Sequence, residues 1–148
     1  MDSIVLLGTG CPSPSHERFG PSTLVKSGNQ NILIDAGPDI KNQLIGHNLP
    51  SLDGIIITHE HADHISGLDE LRPFYFYNTE KIKIYTNAKT SEFLLNRFNY
   101  LFEKSESSQS YFSPPLELKH IEYFEELNVN DINIKSIKQN HSVAIKNI

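Results

Sequence analysis

The sequence predicts a mixed α/β domain, and three observations carry that expectation. Short apolar, β-branched runs recur, the clearest being Gly54–Thr58 (GIIIT), which reads as a strand covered on both faces. Other segments place apolar residues at helical spacing, Thr90–Phe102 above all. Gly, Pro and Asn punctuate the joins between the two kinds of segment.

Taken in order, Ser3–Leu7 reads as a buried strand closed by Gly8, and Thr9–Pro21 as a loop rich in Gly, Pro and Ser. Ser22–Ser27 and Asn31–Asp35 form a hairpin about Gly28-Asn29. Pro38 suits the first turn of a helix whose apolar face is Ile40, Leu44 and Ile45, ended by Asn48–Pro50. After Gly54–Thr58, a second helix is expected from about Ser66, with Leu68 and Leu71 inward and a break near Pro73. Lys81–Thr86 alternates Lys and Ile, a strand with one wet face. Thr90–Phe102 is a helix patterned by Phe93, Leu94, Arg97, Phe98 and Leu101. Glu103–Ser113 is polar and reads as mobile. Leu116–Glu122 and Asp131–Lys138 are two further strands, joined through Asn128–Asn130. The sum is one domain over 1–148, a mixed sheet with about three helices.

The composition narrows the function. With 148 residues, 38% hydrophobic, there is material for a single core. The net charge is −5 and no basic cluster interrupts it, which argues against long nucleic acid as a partner. A small anionic substrate stays open, because a bound metal supplies positive charge locally. Cys11 is the only cysteine, so an intrachain disulfide is impossible and a thiolate zinc cluster is not expected. The opening MDSIVLLGTG has neither a basic start nor an apolar run long enough for a signal peptide or a membrane span, and a cytoplasmic location is expected.

Chemistry concentrates in Thr58-His59-Glu60-His61-Ala62-Asp63-His64. Imidazole and carboxylate are ligands for zinc, manganese or iron, and three histidines with an aspartate in six residues form a dense donor set. A sharp turn after the buried strand lets them converge. His59 and His61 can share one ion, and Asp63 and His64 can serve a second. Two ions roughly 3.5–4 Å apart would bridge a water, lower its pKa and clamp attacking and leaving oxygens, which is hydrolase chemistry.

At these residues the chain resembles the metallo-β-lactamase superfamily, whose signature is His-x-His-x-Asp-His. The runs Asp35–Asp39 (DAGPD), Thr58–Phe74 (THEHADHISGLDELRPF) and Arg97–Phe102 are similar to the branch that includes phosphoribosyl cyclic phosphodiesterase. Leu6–Val25 (LLGTGCPSP…RFGPSTLV) is similar to tRNA 3′-processing endonucleases. The resemblance implies an αββα sandwich, here its N-terminal portion. It implies two zinc ions, with manganese or iron as substitutes. His59, His61 and His141 would hold one, Asp63 and His64 the other. Asp63 and His64 would also be catalytic, and Asp35 would support the loop from behind. The implied activity is a metal-dependent phosphodiesterase acting on a small phosphodiester, nucleotide-like or nucleic-acid-end substrate. A catalytically inactive fragment or binding module is the rival, and a thioester or other ester hydrolase a third reading.

The superfamily pattern continues beyond its third motif with a bridging aspartate and a final histidine, whereas this sequence ends seven residues after His141. One sheet face is therefore expected to be bare, to be covered by a second copy or a complementing C-terminal half, or to aggregate. Relatives often carry a structural zinc on cysteines near the first strand, and Cys11 alone predicts none.

Other residues have simpler expectations. His16 and Arg18 are solvated loop residues with a lesser prospect of touching a phosphate. His47 faces a helix C-terminus. His120 and Glu60 are expected at the surface, Arg72 as a helix-end anchor, and Phe74, Tyr75, Phe76 and Tyr77 in the core rather than in a base-stacking pocket.

Overall fold

The computed structural model describes residues 2–10, 15–48, 51–75, 80–103 and 114–140, with 141–142 and 145–147 in backbone only. Six strands form one mixed sheet in sequence order: β1 (Ser3–Gly8), β2 (Ser22–Ser27), β3 (Gln30–Ile34), β4 (Gly54–Ile56), β5 (Ile82–Thr86) and β6 (Leu116–His120). β1, β2 and β3 pair antiparallel, and β3 to β6 run parallel. The β2–β3 hairpin turns where expected, and Gly28 takes the left-handed φ of 57° that the turn needs. Parallel neighbours require crossovers, which explains the helices between them. These are α1 (Ile40–Gly46), the single turns α2 (Ala62–Ile65) and α3 (Arg72–Tyr75) flanking a 3₁₀ turn at Asp69–Leu71, and α4 (Ala88–Phe102).

Alternation along the strands divides the apolar residues between two faces. Leu24, Leu33, Ile55, Ile57, Ile84 and Leu116 meet the helices through Ile40, Leu44, Leu68, Leu71, Leu94 and Leu101. On the opposite face, Val25, Ile32, Ile34, Ile56 and Tyr85 lie under the hairpin of β7 (Glu126–Val129) and β8 (Ile132–Lys135). That hairpin covers part of the face expected to be bare. Ile4 and Leu6 on β1 stay 73% and 66% exposed.

Several expectations are corrected. Pro38 precedes α1, whose N-cap position is held by Asp39 at a left-handed φ of 68° without a side-chain capping bond. Gln43 is buried with Ile40 and Leu44, while Ile45 is exposed, because one step of 100° carries it off the inner face. The expected helix from Ser66 is instead α2, which begins inside the histidine cluster, followed by the turn that buries Leu68 and Leu71. Pro73 sits in the first turn of α3 rather than ending a helix. Phe93 is exposed, and Thr90 takes its place on the buried face of α4. Asn128–Asn130 is not a join between β6 and a later strand. Asn128 belongs to β7, which pairs β8, while β6 lies beside β5. Phe74 and Tyr75 are core residues as expected. Cys11, Pro50, Phe76, Tyr77 and nearly all of Glu103–Ser113 lie outside the described residues.

Candidate metal centre

The site grows from the carboxyl ends of two adjacent parallel strands, where ligands gather in open α/β sheets. β3 delivers Asp35, and the three residues of β4, extended through Ile57, deliver Thr58 and the histidines. Asp35 N–H donates to the Ile56 carbonyl at 2.8 Å, and Ile57 N–H to the Tyr85 carbonyl at 3.0 Å. Asp35 itself adopts a left-handed φ of 60°, sparsely populated for a non-glycine residue. That turn aims its carboxylate at the next strand's exit.

Asp35 there joins two histidines. Thr58 N–H donates to Oδ1 at 2.8 Å, and the Thr58 hydroxyl reaches both carboxylate oxygens at 2.9–3.0 Å. His64 Nδ1–H donates to Asp35 Oδ2 at 2.7 Å. With the Thr58 hydroxyl proton directed to Asp35, its oxygen accepts from His59 Nδ1–H at 3.0 Å. Both imidazoles thus carry their proton on Nδ1, which leaves the Nε2 lone pairs for a cation.

The rings converge. The centroid of His59 is 4.6 Å from that of His61 and 4.2 Å from that of His64. His64 Nε2 lies 3.6 Å from Asp63 Oδ2. His59 is buried at 3% exposure. Burial opposes protonation of His64, but the hydrogen bond and charge of Asp35, then the charge of Asp63, outweigh it and raise its pKa above 6.5. The loop's shape depends on close backbone approach: a Cβ on Gly67 would stand 2.1 Å from the Gly37 carbonyl, and one on Gly37 would stand 2.7 Å from that of Asp63. Ala36 N–H donates to the His64 carbonyl at 2.8 Å, and Gly67 N–H to the Ala36 carbonyl at 2.9 Å. These bonds seat α2 on the end of β3.

The structure therefore brings together His59, His61, Asp63 and His64. His141 falls in β9 (Gln139–Ser142), and its side chain lies outside the described residues. Among the described residues, no group of three or more His, Cys, Asp or Glu already encloses a cation position. The donor chemistry nonetheless fits a divalent borderline ion: imidazoles, those of His59 and His64 oriented through Nδ1, beside a carboxylate. Sequence reasoning missed Thr58 as the link between Asp35 and His59, although its position at the strand's exit was the available signal. It also expected Glu60 at the surface. Glu60 instead accepts from Lys89 Nζ and from Thr90 Oγ1. Burial pushes its pKa up, but these two partners and the charge of Lys89 hold it below the ordinary carboxylate value.

The remaining candidates lie where simple expectations put them. His16 and Arg18 are exposed in a turn closed by Ser15 and Arg18. His16 helps line a cavity of about 480 Å³ with Phe19, Pro38 and Asp39. His47 is the C-cap of α1, His120 is exposed at the end of β6, and Arg72 Nη1 lies 3.9 Å from Asp69. Among the described residues no helix is long and apolar enough to cross a membrane.

Fold and site together define a protein of the metallo-β-lactamase fold. A solved diphosphatase of the PhnP family superposes with a TM-score of 0.80 at 25% identity, over 99% of this chain and 60% of its own. The metallo-β-lactamase fold protein YhfI from Bacillus subtilis gives 0.72 at 19% identity, over 97% and 55%. A ribonuclease Z from Bradyrhizobium sp. (strain ORS 278) is 42% identical over 73 residues, 48% of this chain and 24% of that protein. The chain thus spans less than two thirds of each of these proteins. More specifically, residues 2–147 match the family described as Anti-Pycsar protein Apyc1, and the chain belongs to that family.

Proposed function

We propose that this chain carries the metal centre of a hydrolase, a phosphodiesterase acting on a small, cyclic nucleotide-like phosphodiester. A nucleic-acid end is the alternative substrate. In this reading His59 and His61, joined by His141, hold one zinc ion, and Asp63 and His64 hold the other, with manganese or iron(II) as possible replacements. Bound there, the ions would activate water and neutralise negative charge that develops on the phosphoryl and leaving oxygens. The chain's own part is to present Nε2 of His59 and His64 unprotonated and correctly oriented. The observation that carries the reading is the relay from His59 Nδ1 through Thr58 to Asp35 and back to His64 Nδ1. Such outer hydrogen bonds fix ligand tautomers in metal centres and have little purpose in a solvated loop.

Two measurements test it. Elemental analysis of the purified chain should find bound zinc or manganese that is lost in His59→Ala. Turnover of a generic phosphodiester with either ion should disappear in His61→Ala. Metal-free protein after incubation with excess zinc would overturn the reading.

A second reading keeps the metal fold but not the reaction: a binding module holding one weak ion or none. Turnover that depends on His61 would reject it. An ester or thioester hydrolase would show itself by preferring that substrate over the phosphodiester.

A further inference from the structure

Glu60 lies between two candidate ligands, yet its side chain is only 12% exposed. Extended backbone sends successive side chains to opposite sides, and His61 has extended angles of φ −63° and ψ 144°. While His59 and His61 bring their rings within 4.6 Å, Glu60 engages α4. Its Oε1 accepts from Lys89 Nζ and its Oε2 accepts from Thr90 Oγ1 at 3.2 Å. Both partners lie in the first turn of a 15-residue helix, whose start is held by Asn87 Oδ1 accepting from Thr90 N–H at 2.9 Å. Thr90 is fully buried. The anchor is therefore a rigid, packed element.

We propose that Glu60 is a positioning residue of the metal centre: fixed to Lys89 and Thr90, it sets the separation of His59 and His61 before an ion arrives, and so sets the affinity for that ion. The inference rests on the metal-centre reading above. Asp35 and Thr58 constrain the rings of His59 and His64 from one side. Glu60 constrains the backbone between His59 and His61 from the other side. The Lys89 ammonium is more than half exposed, and exposed ion pairs contribute little to stability. Loss of the Lys89 contact should hence loosen the ligands far more than it loosens the fold, whereas loss of Glu60 also takes the acceptor from the buried Thr90 hydroxyl.

The test is a zinc titration against a chromophoric chelator, paired with thermal melting of the metal-free protein. Wild type is compared with Glu60→Ala, Glu60→Gln, Lys89→Met and the Glu60→Ala/Lys89→Met double variant. Glu60→Ala should bind zinc about tenfold or more weakly, as outer-shell losses do. Its metal-free melting temperature should be lowered modestly, because the buried Thr90 hydroxyl loses this acceptor, whereas Lys89→Met should leave that temperature little changed. Glu60→Gln keeps an acceptor for Thr90 and should fall between. Lys89→Met alters no residue of the loop and should also weaken binding. The double variant should be no weaker than Glu60→Ala, because the two act through one contact. Wild-type affinity in Glu60→Ala would overturn the proposal, and so would affinity losses that merely track melting temperature. If His61→Ala abolishes binding while Glu60→Ala leaves it intact, only this inference fails. If wild type itself takes up no zinc, both it and the metal-centre reading fail.

Discussion

Replacing Asp35 by Asn tests the tautomer relay directly. The carboxylate accepts from Thr58 N–H, the Thr58 hydroxyl and His64 Nδ1–H, the last at 2.7 Å. An amide has almost the same shape but offers one acceptor oxygen and an NH₂ that donates. If the amide oxygen stays on Thr58, the NH₂ meets His64 Nδ1–H, donor against donor. The ring relieves this by moving its proton to Nε2, where the metal should bind. Removing a carboxylate from behind a metal-ligating histidine typically weakens metal binding 10- to 100-fold, about 1.4–2.7 kcal/mol.

Stability should fall too. A hydrogen bond to a charged group contributes about 1.5–3 kcal/mol, and Asn retains part of the set, so about 2 kcal/mol is expected. In a domain of this size that lowers Tm by roughly 4–8 °C. Chelator competition reads the affinity, calorimetry reads the stability, and long-range ¹⁵N–¹H correlation spectra read the His64 tautomer. Asp35→Ala separates the effects, since it leaves Nδ1 free to keep its proton and should cost at least as much stability with less tautomer reversal. Asp35→Asn that binds zinc like wild type, with His64 still protonated at Nδ1, would refute the reasoning.

Four further outcomes follow from the same contacts. Gly67→Ala drives a Cβ to 2.1 Å from the Gly37 carbonyl and 2.7 Å from Ile40 Cγ2, so it should destabilise by about 1–3 kcal/mol or more and weaken metal uptake, read by melting and titration. Tyr75→Phe removes the buried hydroxyl that donates to the Leu68 carbonyl at 3.1 Å and should cost about 1 kcal/mol in denaturant unfolding. His64 has a raised pKa, so its contribution to metal-free stability is complete below 6.5 and is lost as pH rises through the folded-state value. Zinc uptake should run the other way, declining as pH falls through that raised value, and in Asp35→Asn the decline should move to lower pH. Finally, the exposed Ile4 and Leu6 favour association, so Ile4→Lys/Leu6→Lys should reduce any oligomer seen by light scattering, and a wild-type monomer would count against a role for that face.

Much of this was legible in the sequence where one residue type has one physical use. Gly54–Ile56 could hardly be other than a buried strand, and Gly28 had to turn a hairpin. Where several uses compete, the pattern failed. Ile45 and Phe93 are apolar and lie within helices, but their angular positions face solvent. Gln43 and Thr90 are buried with side-chain hydrogen bonds that leave their own helices, Gln43 Nε2 donating to the Gly20 and Pro38 carbonyls and Thr90 Oγ1 to Glu60. Glu60 could not be placed from sequence, since its partners come from a helix 29 and 30 residues away. The early start of α2 was hidden for a related reason. His61 takes the N-cap position without a capping side-chain bond, so none of the usual helix-start residues marks it.

The candidate ligands were visible as a string of letters, but their orientation is a product of topology. Asp35 can hold Thr58 and His64 only because β3 and β4 run parallel and adjacent, which puts both carboxyl ends at one edge of the sheet. Antiparallel pairing would send Asp35 to the far end of β4, about 10 Å away for a three-residue strand at 3.3 Å per residue. The crossover through α1 makes the parallel pairing possible. The close approaches of Gly37 and Gly67 then bring α2 down onto the end of β3, so that His64 faces His59 and Asp63 Oδ2 lies 3.6 Å from His64 Nε2. A sequence carrying the same histidines without the Asp35 turn, or with bulkier residues at 37 and 67, would keep the donors and lose the geometry. Grafting Thr58–His64 alone onto another parallel strand should therefore yield zinc binding far weaker than a graft that also carries Asp35–Gly37 on the neighbouring strand and Gly67.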